Sequence, residues 1–256
     1  MSKIQNAFKK GKAFIAFLTA GDPDLQTTEE LVFEMGKSGA DIVELGIPFS
    51  DPIAEGPVIQ EADVRALASG TTPDKIFEMV ERIREKSQIP LVFLTYINPV
   101  LKYGYDAFFA KCNEVGIDGI IIPDLPYEER KEVHEFSSKH GIDLIPLVAP
   151  TSEDRIKKIA ASAEGYLYVV SSLGVTGIRS EIKTDLDSII SVAKEAAKVP
   201  LAVGFGINTP EQAAKISKIA DGVIVGSAIV KIIAQHGKIS AKPVSEYVKK
   251  MKEAMI

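Results

Sequence analysis

The chain has 256 residues, a formal net charge of −5 and 46% hydrophobic residues. This length suits one large α/β domain or two small ones, and no Pro- or Ser-rich linker divides it, so we predict that residues 1–256 form a single domain. The acidic balance without a basic run excludes nucleic acid as an expected partner, and the lack of any run of about eighteen apolar residues excludes a membrane span.

Residues 1–10 are typical of a short amphipathic helix rather than a signal peptide, so we expect a cytoplasmic protein. Eight apolar runs then alternate with helical patterns. They are the predicted strands at residues 14–19, 41–46, 91–96, 119–123, 144–148, 166–170, 201–204 and 222–226. Almost continuously apolar runs are typical of parallel strands that helices cover on the outside.

The predicted fold class is therefore α/β, a single (β/α)8 TIM barrel with extra helices. The extra helices are the N-terminal helix, an insertion after strand two and a short helix after strand eight. An open doubly wound sheet is the alternative. It is disfavoured because its glycine-rich fingerprint does not follow the first strand.

A short pattern that ends in aspartate precedes four of the strands, at Asp41, Asp118, Asp143 and Asp221. It indicates that a helix stops and a strand begins. The interval from Asp41 to Asp118 is longer than the two strand–helix units between them need, and the excess falls at residues 44–60. Insertions after a strand commonly carry function, so this segment is a candidate functional loop.

Two acids in this segment are candidate catalytic residues. Strand alternation puts Ile42, Glu44 and Gly46 on one face, so Glu44 becomes a desolvated acid if both faces are buried. A desolvated acid at a strand end favours proton-transfer chemistry, and a structural ion pair is the alternative. Glu55 follows in a turn, where it is either a second acid of the site or a solvated loop residue.

Three glycine-bearing segments follow strands six, seven and eight, at residues 171–180, 204–210 and 225–229. Backbone N–H groups, the Ser227 hydroxyl and a helix N-terminus can together bind a phosphate dianion without a lysine. Loops after strands seven and eight of a barrel often do so. The glycines could instead only permit tight turns, and residues 174–180 are either a lid or an ordinary mobile loop.

The positions of the cysteine, histidine and lysine residues limit the kinds of reaction that the chain can catalyse. Cys112 is the only cysteine, which excludes an internal disulfide. His134, His140 and His236 fall in helical segments away from strand ends, which disfavours a histidine base or a metal site. No lysine ends an inner strand face, which weakens a Schiff-base aldolase. We therefore expect metal-free acid/base chemistry by carboxylates on a phosphorylated small molecule.

Several motifs together resemble the alpha subunit of tryptophan synthase over nearly the whole chain. They are FLTAGDP at 17–23, ELGIPFSDP at 44–52, EGPVIQ at 55–60, GVTG at 174–177, GFGI at 204–207 and GSAIV at 226–230. The resemblance implies retro-aldol cleavage of indole-3-glycerol phosphate to indole and glyceraldehyde 3-phosphate. It also implies an alpha2beta2 complex in which pyridoxal phosphate belongs to the beta subunit and this chain carries no cofactor.

The resemblance further implies residue roles. Glu44 matches the family's proton-shuttling glutamate, and Glu55 matches an acid that balances charge on the indole nitrogen. The positions that match the substrate site are Phe17, Ile59, Leu94, Tyr96, Leu125, Tyr168, Thr176 and Phe205. The phosphate site is matched by Gly177, Gly206, Gly226 and Ser227. The surface that faces the beta subunit is matched by Pro48, Asp51, Pro52 and Asn98, the last in a turn after strand three.

Glu55 is the one notable departure, because the family usually has aspartate there. The additional methylene moves the carboxylate by about an ångström, a displacement that can cost about a hundredfold in rate if the loop does not adjust. Two other functions stay open. One is a different phosphate-binding barrel enzyme, such as a sugar-phosphate epimerase or isomerase. The other is a catalytically weak module that docks on and activates a beta subunit.

Overall fold

A closed sheet of parallel strands forms the centre of the computed structural model, which describes residues 2–171, 186–204 and 206–256. The strands are β1 Ala13–Thr19, β2 Ile42–Gly46, β3 Leu91–Leu94, β4 Gly119–Ile121, β5 Asp143–Ile145, β6 Leu147–Val148, β7 Leu167–Val170, β8 Leu201–Gly204 and β9 Gly222–Val225. Their order is β5-β4-β3-β2-β1-β9-β8-β7-β6. Because β5 and β6 are consecutive in the chain, the two ends of this order meet and the sheet is a barrel.

The fifth predicted strand is divided into β5 and β6 at Pro146. Proline has no N–H to donate to a ladder, and the Pro146 carbonyl accepts the N–H of Tyr168 at 3.1 Å. β5 pairs with β4, whereas β6 pairs with β7, so the chain changes neighbours at this residue. The prediction of eight strand–helix units in a TIM barrel is confirmed, with one strand in two pieces.

Helices surround the barrel. They are α1 Lys3–Ala7, α2 Leu25–Lys37, α3 Pro57–Ala68, α4 Pro73–Arg84, α5 Ile97–Tyr103, α6 Tyr105–Val115, α7 Arg130–Lys139, α8 Glu153–Ala161, α9 Leu186–Ala196, α10 Pro210–Ser217, α11 Ser227–His236 and α12 Ala241–Glu253. The three predicted extra helices are α1, α3 and α11. The turn predicted around Asn98 is instead the first turn of α5, whose Ile97 N–H is held by the Asp124 carboxylate at 2.9 Å. That capping residue comes from another loop, so the local sequence did not indicate it.

Three of the four repeated aspartates fasten neighbouring strands at their amino ends. Asp41 precedes β2 and accepts the N–H of Phe14 in β1 at 2.7 Å. Asp118 precedes β4 and accepts the N–H of Leu91 in β3 at 3.0 Å. Asp221 precedes β9 and accepts the N–H of Leu201 in β8, also at 3.0 Å. Each carboxylate thus satisfies a strand N–H that lies beyond the regular ladder, which buried backbone groups require.

Strand alternation divides the side chains between two cores. Val43 and Leu45 of β2 pack outward beneath the helices, whereas Ile42 packs in the barrel interior with Ile4 from α1. Glu44 also points inward, as its hydrogen bond to a buried tyrosine shows. The face assignment predicted for β2 is confirmed. No helix among the described residues combines the length and apolar character needed to cross a bilayer.

Candidate active site

A cavity of about 640 Å³ lies at the carboxyl ends of the strands. It brings together nine of the residues singled out in the sequence. They are Phe17, Glu44, Glu55, Ile59, Leu94, Tyr168, Gly206, Gly226 and Ser227. These residues come from distant parts of the chain and meet because parallel barrel strands all end on the same side. The two candidate acids and the glycine-bearing ends of strands seven and eight therefore share one cavity.

Glu44 is an inward-facing acid of β2 and is only 1% exposed. The Tyr166 hydroxyl donates a hydrogen bond to Glu44 Oε1. Burial raises the pKa of Glu44 to about 7, against the opposing effect of the Tyr166 hydrogen bond. Within the described residues Glu44 has no cationic partner, so it is a desolvated acid rather than half of an ion pair. Near neutral pH it can both donate and accept a proton.

Glu55 lies in the loop that leads from β2 to α3. Gln60 Nε2 donates to the Glu55 carbonyl at 2.8 Å, which fixes the backbone of this loop. The Glu55 Oε2 atom is buried and has no hydrogen-bond partner in the described residues. Burial is the largest cause that raises the pKa of Glu55 to about 7, and the Asp63 and Asp124 carboxyls contribute to this rise. Leaving a buried acceptor without a hydrogen bond costs free energy, which a ligand N–H that reached Glu55 Oε2 would recover.

The ring of Phe17 forms one wall of the cavity and lies against two glycines. A Cβ at Gly46 would come within 2.8 Å of Phe17 Cζ, and a Cβ at Gly226 within 3.0 Å of Phe17 Cδ1. Ile59 of α3 packs on Phe17, and Leu94 at the end of β3 joins the same apolar cluster. Both glycines therefore make room for the Phe17 ring, and for Gly226 this is a structural reason separate from the predicted phosphate contact.

Tyr168 lines the cavity, but two other predicted substrate-site residues do not. The Tyr96 hydroxyl accepts the Ala54 N–H at 3.0 Å, and its ring packs on Phe49 with centroids 5.4 Å apart. Tyr96 thus supports the loop that carries Glu55. Leu125 lines a separate, small cavity of about 40 Å³. A large side chain near a strand end can pack beside the site as well as into it, and the substrate contacts of these two residues stay predictions.

Another part of the cavity lining comes from backbone and the start of α11. Gly226 is the residue before the helix, Ser227 is its first residue, and the helix has ten residues. Gly206 has a φ of 76°, in the left-handed region that favours glycine. A helix N-terminus presents free N–H groups and a partial positive charge, which suit an anion.

Four further polar residues line the cavity and were not predicted as site residues. They are Asn208, Lys231, Gln235 and Tyr247. Ser227, Lys231 and Gln235 are four residues apart, so they share one face of α11. That helical spacing is the signal that could have indicated them. The Tyr247 hydroxyl donates to the Asn208 carbonyl at 3.0 Å, and burial raises the pKa of Tyr247 to about 12.

Comparison with known proteins agrees with this geometry. The family model described as tryptophan synthase alpha chain matches residues 4–256. The tryptophan synthase alpha chain of Lacticaseibacillus casei is 50% identical over 255 residues, which is 100% of this chain and 96% of that protein. The chain belongs to the tryptophan synthase alpha chain family. The alpha chain of Alkaliphilus metalliredigens is 51% identical over 94% of this chain and 92% of that protein.

Solved structures of this family have the same fold. The tryptophan synthase subunit alpha of Legionella pneumophila has a TM-score of 0.90 and 40% identity, and the match covers 100% of this chain and 98% of that one. A chain from the tryptophan synthase a2b2 complex of Pyrococcus furiosus has a TM-score of 0.86 and 38% identity, over 94% and 98% of the two chains.

Three residues that tryptophan synthase alpha motifs indicated, Thr176, Gly177 and Phe205, lie outside the described residues, as does the predicted lid at 174–180. Their roles stay predictions. His134 lies in α7 and His140 lies at its end, as predicted. His134 Nε2 forms a hydrogen bond with the Glu164 carboxylate at 2.6 Å, and His140 Nε2 forms one with the Asp106 carboxylate at 2.8 Å.

The predicted partner surface is only partly accessible. Asp51 and Asn98 are exposed and Pro52 is half-buried, but Pro48 is buried within the chain. Pro48 therefore has little surface to offer a partner in the isolated chain, and its place in the interface stays a prediction. Ile53 in the same loop is 79% exposed. A proline in an apolar loop gives the same sequence signal whether it packs inward or outward.

Proposed function

We propose that this chain is the lyase that cleaves indole-3-glycerol phosphate to indole and glyceraldehyde 3-phosphate in tryptophan biosynthesis, with Glu44 and Glu55 as its acids. Membership of the tryptophan synthase alpha family supports the reaction. The residue assignment rests on the environment of Glu44. This buried acid has a pKa of about 7 and lies in the same cavity as the N-terminus of α11, the proposed phosphate site.

In the proposed reaction, Glu44 donates one proton to the substrate and takes another one back. Protonated Glu44 gives its proton to indole C3, which breaks the aromatic character of the pyrrole ring and places positive charge near the nitrogen. The Glu44 carboxylate then takes the proton of the glycerol hydroxyl next to C3. The carbon–carbon bond breaks, the hydroxyl carbon becomes an aldehyde, and Glu44 is protonated again.

Glu55 supports this step through the indole nitrogen. Its Oε2 atom is buried without a hydrogen-bond partner in the described residues, and we assign the indole N–H to it as the missing donor. An ionised carboxylate there stabilises the charge that develops on the nitrogen, and low local polarity strengthens this interaction. Phe17, Ile59, Leu94 and Tyr168 provide the apolar walls that suit a flat aromatic ring.

The phosphate is assigned to the start of α11. Gly226 and Ser227 lie there, Gly206 lines the same cavity, and Gly177 completes the proposed set. Lys231 adds a cationic side chain to the cavity lining, where the glycine segments alone require none. We further infer that residues 1–256 act as one domain, because the barrel closes only when strands from both halves of the chain pair.

The partner is a tryptophan synthase beta subunit, in an alpha2beta2 heterotetramer like that named for the Pyrococcus furiosus complex. Pyridoxal phosphate is assigned to that subunit. The proposed contact surface contains Asp51, Pro52 and Asn98, together with the exposed side chains of Ile53 and Leu101. Exposed apolar side chains beside the mouth of a site are typical of a protein interface.

The direct test is indole release from indole-3-glycerol phosphate by the purified chain, measured alone and with its beta subunit. We expect release in both cases and a higher rate in the complex. A chain that turns over neither alone nor with the beta subunit contradicts the proposed function.

A further inference from the structure

A second, smaller cavity of about 40 Å³ lies beside the active-site cavity. Four of the residues that line it are consecutive, at 144–147, and the others come from the segment after β4 and from α7 and α8. Residues 144–147 span the division of the fifth strand into β5 and β6. Among the described strands this is the one seam of the barrel that no ladder of hydrogen bonds closes. The small cavity therefore lies where the sheet is interrupted.

Leu147, the first residue of β6, lines both cavities. Among the described residues it is the one member that the two linings share. Its side chain is half-buried and packs against the apolar cluster of the barrel interior. Its partner in the ladder is Tyr168, which also lines the active-site cavity. Leu147 therefore lies between the two cavities and separates them.

The strand order indicates which end of the substrate faces Leu147. The proposed phosphate site is the start of α11, directly after β9. Around the closed barrel β4 lies opposite β9, and β6 continues β5, which pairs with β4. Leu147 therefore lies across the cavity from the phosphate site. A substrate that spans the cavity turns its aromatic ring toward Leu147, with ring carbons 5 and 6 foremost, because these are farthest from the glycerol phosphate chain.

We propose that Leu147 is a specificity-determining residue, which closes the small cavity to the substrate and so excludes rings substituted at carbon 5 or 6. This inference rests on the proposed function, which places indole in the active-site cavity. A methyl group at either carbon meets the Leu147 side chain. Once that side chain is shortened, the methyl group can enter the small cavity. The space suffices, because a cavity of about 10–15 Å³ already admits a water molecule, which is about as large as a methyl group.

The test compares kcat/KM of the wild type and Leu147→Ala for indole-3-glycerol phosphate and for its 5-methyl and 6-methyl derivatives. The measured quantity is the ratio of each derivative to the unsubstituted substrate within one protein, which cancels a general loss of activity. In Leu147→Ala this ratio should rise at least about tenfold for one derivative or both, since one methylene in an apolar pocket is worth about 10- to 200-fold. An unchanged ratio for both derivatives overturns the inference.

Two controls distinguish the small cavity from a general enlargement of the site. Val170→Ala shortens an aliphatic side chain that lines the active-site cavity but not the small one, so its ratios should match those of the wild type. Ile159→Phe adds volume to a lining residue of the small cavity and should remove the gain when it is combined with Leu147→Ala. A gain that Val170→Ala shares, or that survives Ile159→Phe, contradicts the inference.

A milder variant, Leu147→Val, keeps the test valid if Leu147→Ala does not fold. Valine is one carbon shorter than leucine, so the ratio for one derivative or both should rise by a smaller factor, and no rise contradicts the inference. Thermal denaturation of each variant shows whether it is folded.

A binding measurement does not need turnover. Isothermal titration calorimetry of the free chain should show that Leu147→Ala gains at least about tenfold in affinity for 5-methylindole or 6-methylindole, relative to indole, over the wild type. If the wild type releases no indole while this affinity does shift, the proposed function fails and the role of Leu147 stands. If the wild type releases indole but neither the kcat/KM ratio nor the affinity shifts, only the role of Leu147 fails.

Discussion

At the scale of single residues, the reactivity of Glu44 follows from where the strand places it. An exposed glutamate is almost fully ionised at pH 7 and is a poor proton donor. Position 44 faces the barrel interior, and burial brings its pKa to about 7. Tyr166 donates to the carboxyl and so orients it, while opposing part of the effect of burial. The same burial that prepares Glu44 for proton transfer makes the ionised protein less stable.

This cost can be measured as a pH dependence of stability. The folded-state pKa of Glu44 lies above its ordinary value of 4.5, so its protonated form stabilises the fold below pH 4.5 and this stability is lost as pH rises to about 7. Glu44→Gln removes the loss. From pH 5 to pH 8, the free energy of unfolding of Glu44→Gln should gain about 2 to 3 kcal/mol relative to the wild type.

Urea denaturation at the two pH values tests this prediction, with Glu61→Gln as the control for removal of an exposed acid. Glu61→Gln should change little with pH. An equal difference between Glu44→Gln and the wild type at pH 5 and pH 8 would show that Glu44 is not desolvated in the folded protein.

Glu55 gives a second prediction at this scale. Its backbone is held by Gln60, and Tyr96 holds the adjacent Ala54 N–H, so the loop is already adjusted around the longer side chain. Glu55→Asp should therefore keep the rate of indole release within about tenfold, while Glu55→Ala should lose about a hundredfold or more. If Glu55→Asp instead gains a hundredfold over an almost inactive wild type, the docking-module hypothesis is correct.

At the scale of elements, α3 is the helix inserted after β2, and it adds residues of the site to the barrel. It begins with Pro57 at its first position, directly after the Glu55 loop. Ile59 packs on Phe17 from its inner face, and the ion pair of Arg65 with Asp22 fastens its second half to the loop after β1. One helix thus positions the second acid and an apolar wall.

The aspartates at the amino ends of the strands belong to the same scale, and one of them gives a prediction about stability far from the site. Asp118 bonds both the Leu91 N–H and Arg84, and each partner of this ion pair is 11% exposed. Asp118→Ala leaves the Arg84 cation without that carboxylate and should lower the free energy of unfolding by about 3 kcal/mol. Asp106→Ala removes an exposed acid of α6 and should change it little. Equal effects in thermal denaturation would contradict a specific role of Asp118.

At the scale of the whole molecule, the periodic patterns predicted the barrel and the direction of Glu44 because both depend on local alternation. Contacts between distant positions were not predictable in this way. Tyr166 and Glu44 are 122 residues apart, so their hydrogen bond follows only from barrel closure. Asp63 looks like an ordinary polar position of an amphipathic helix until the fold places it against Thr19. The inward packing of Pro48 likewise depends on neighbours that its own loop does not indicate.

One exposed apolar side chain of the proposed contact surface, Ile53, gives a prediction about binding to the beta subunit. Ile53 is 79% exposed in the loop between β2 and α3, whereas Ile239 is 77% exposed after α11. Ile53→Asp places a charge where an interface would be desolvated, so it should weaken binding to the beta subunit at least about tenfold. Ile239→Asp is the matched control and should bind normally. Isothermal titration calorimetry that finds equal affinities for both variants would place the interface elsewhere.

The most direct measurement for the account as a whole is the kcat of Glu44→Gln for indole release from indole-3-glycerol phosphate. Glutamine fits the same space and can accept the Tyr166 hydrogen bond, but it can neither give nor take the proton. The account predicts a loss of about a thousandfold or more with the circular dichroism spectrum unchanged. A folded Glu44→Gln protein that releases indole within tenfold of the wild-type rate would contradict it.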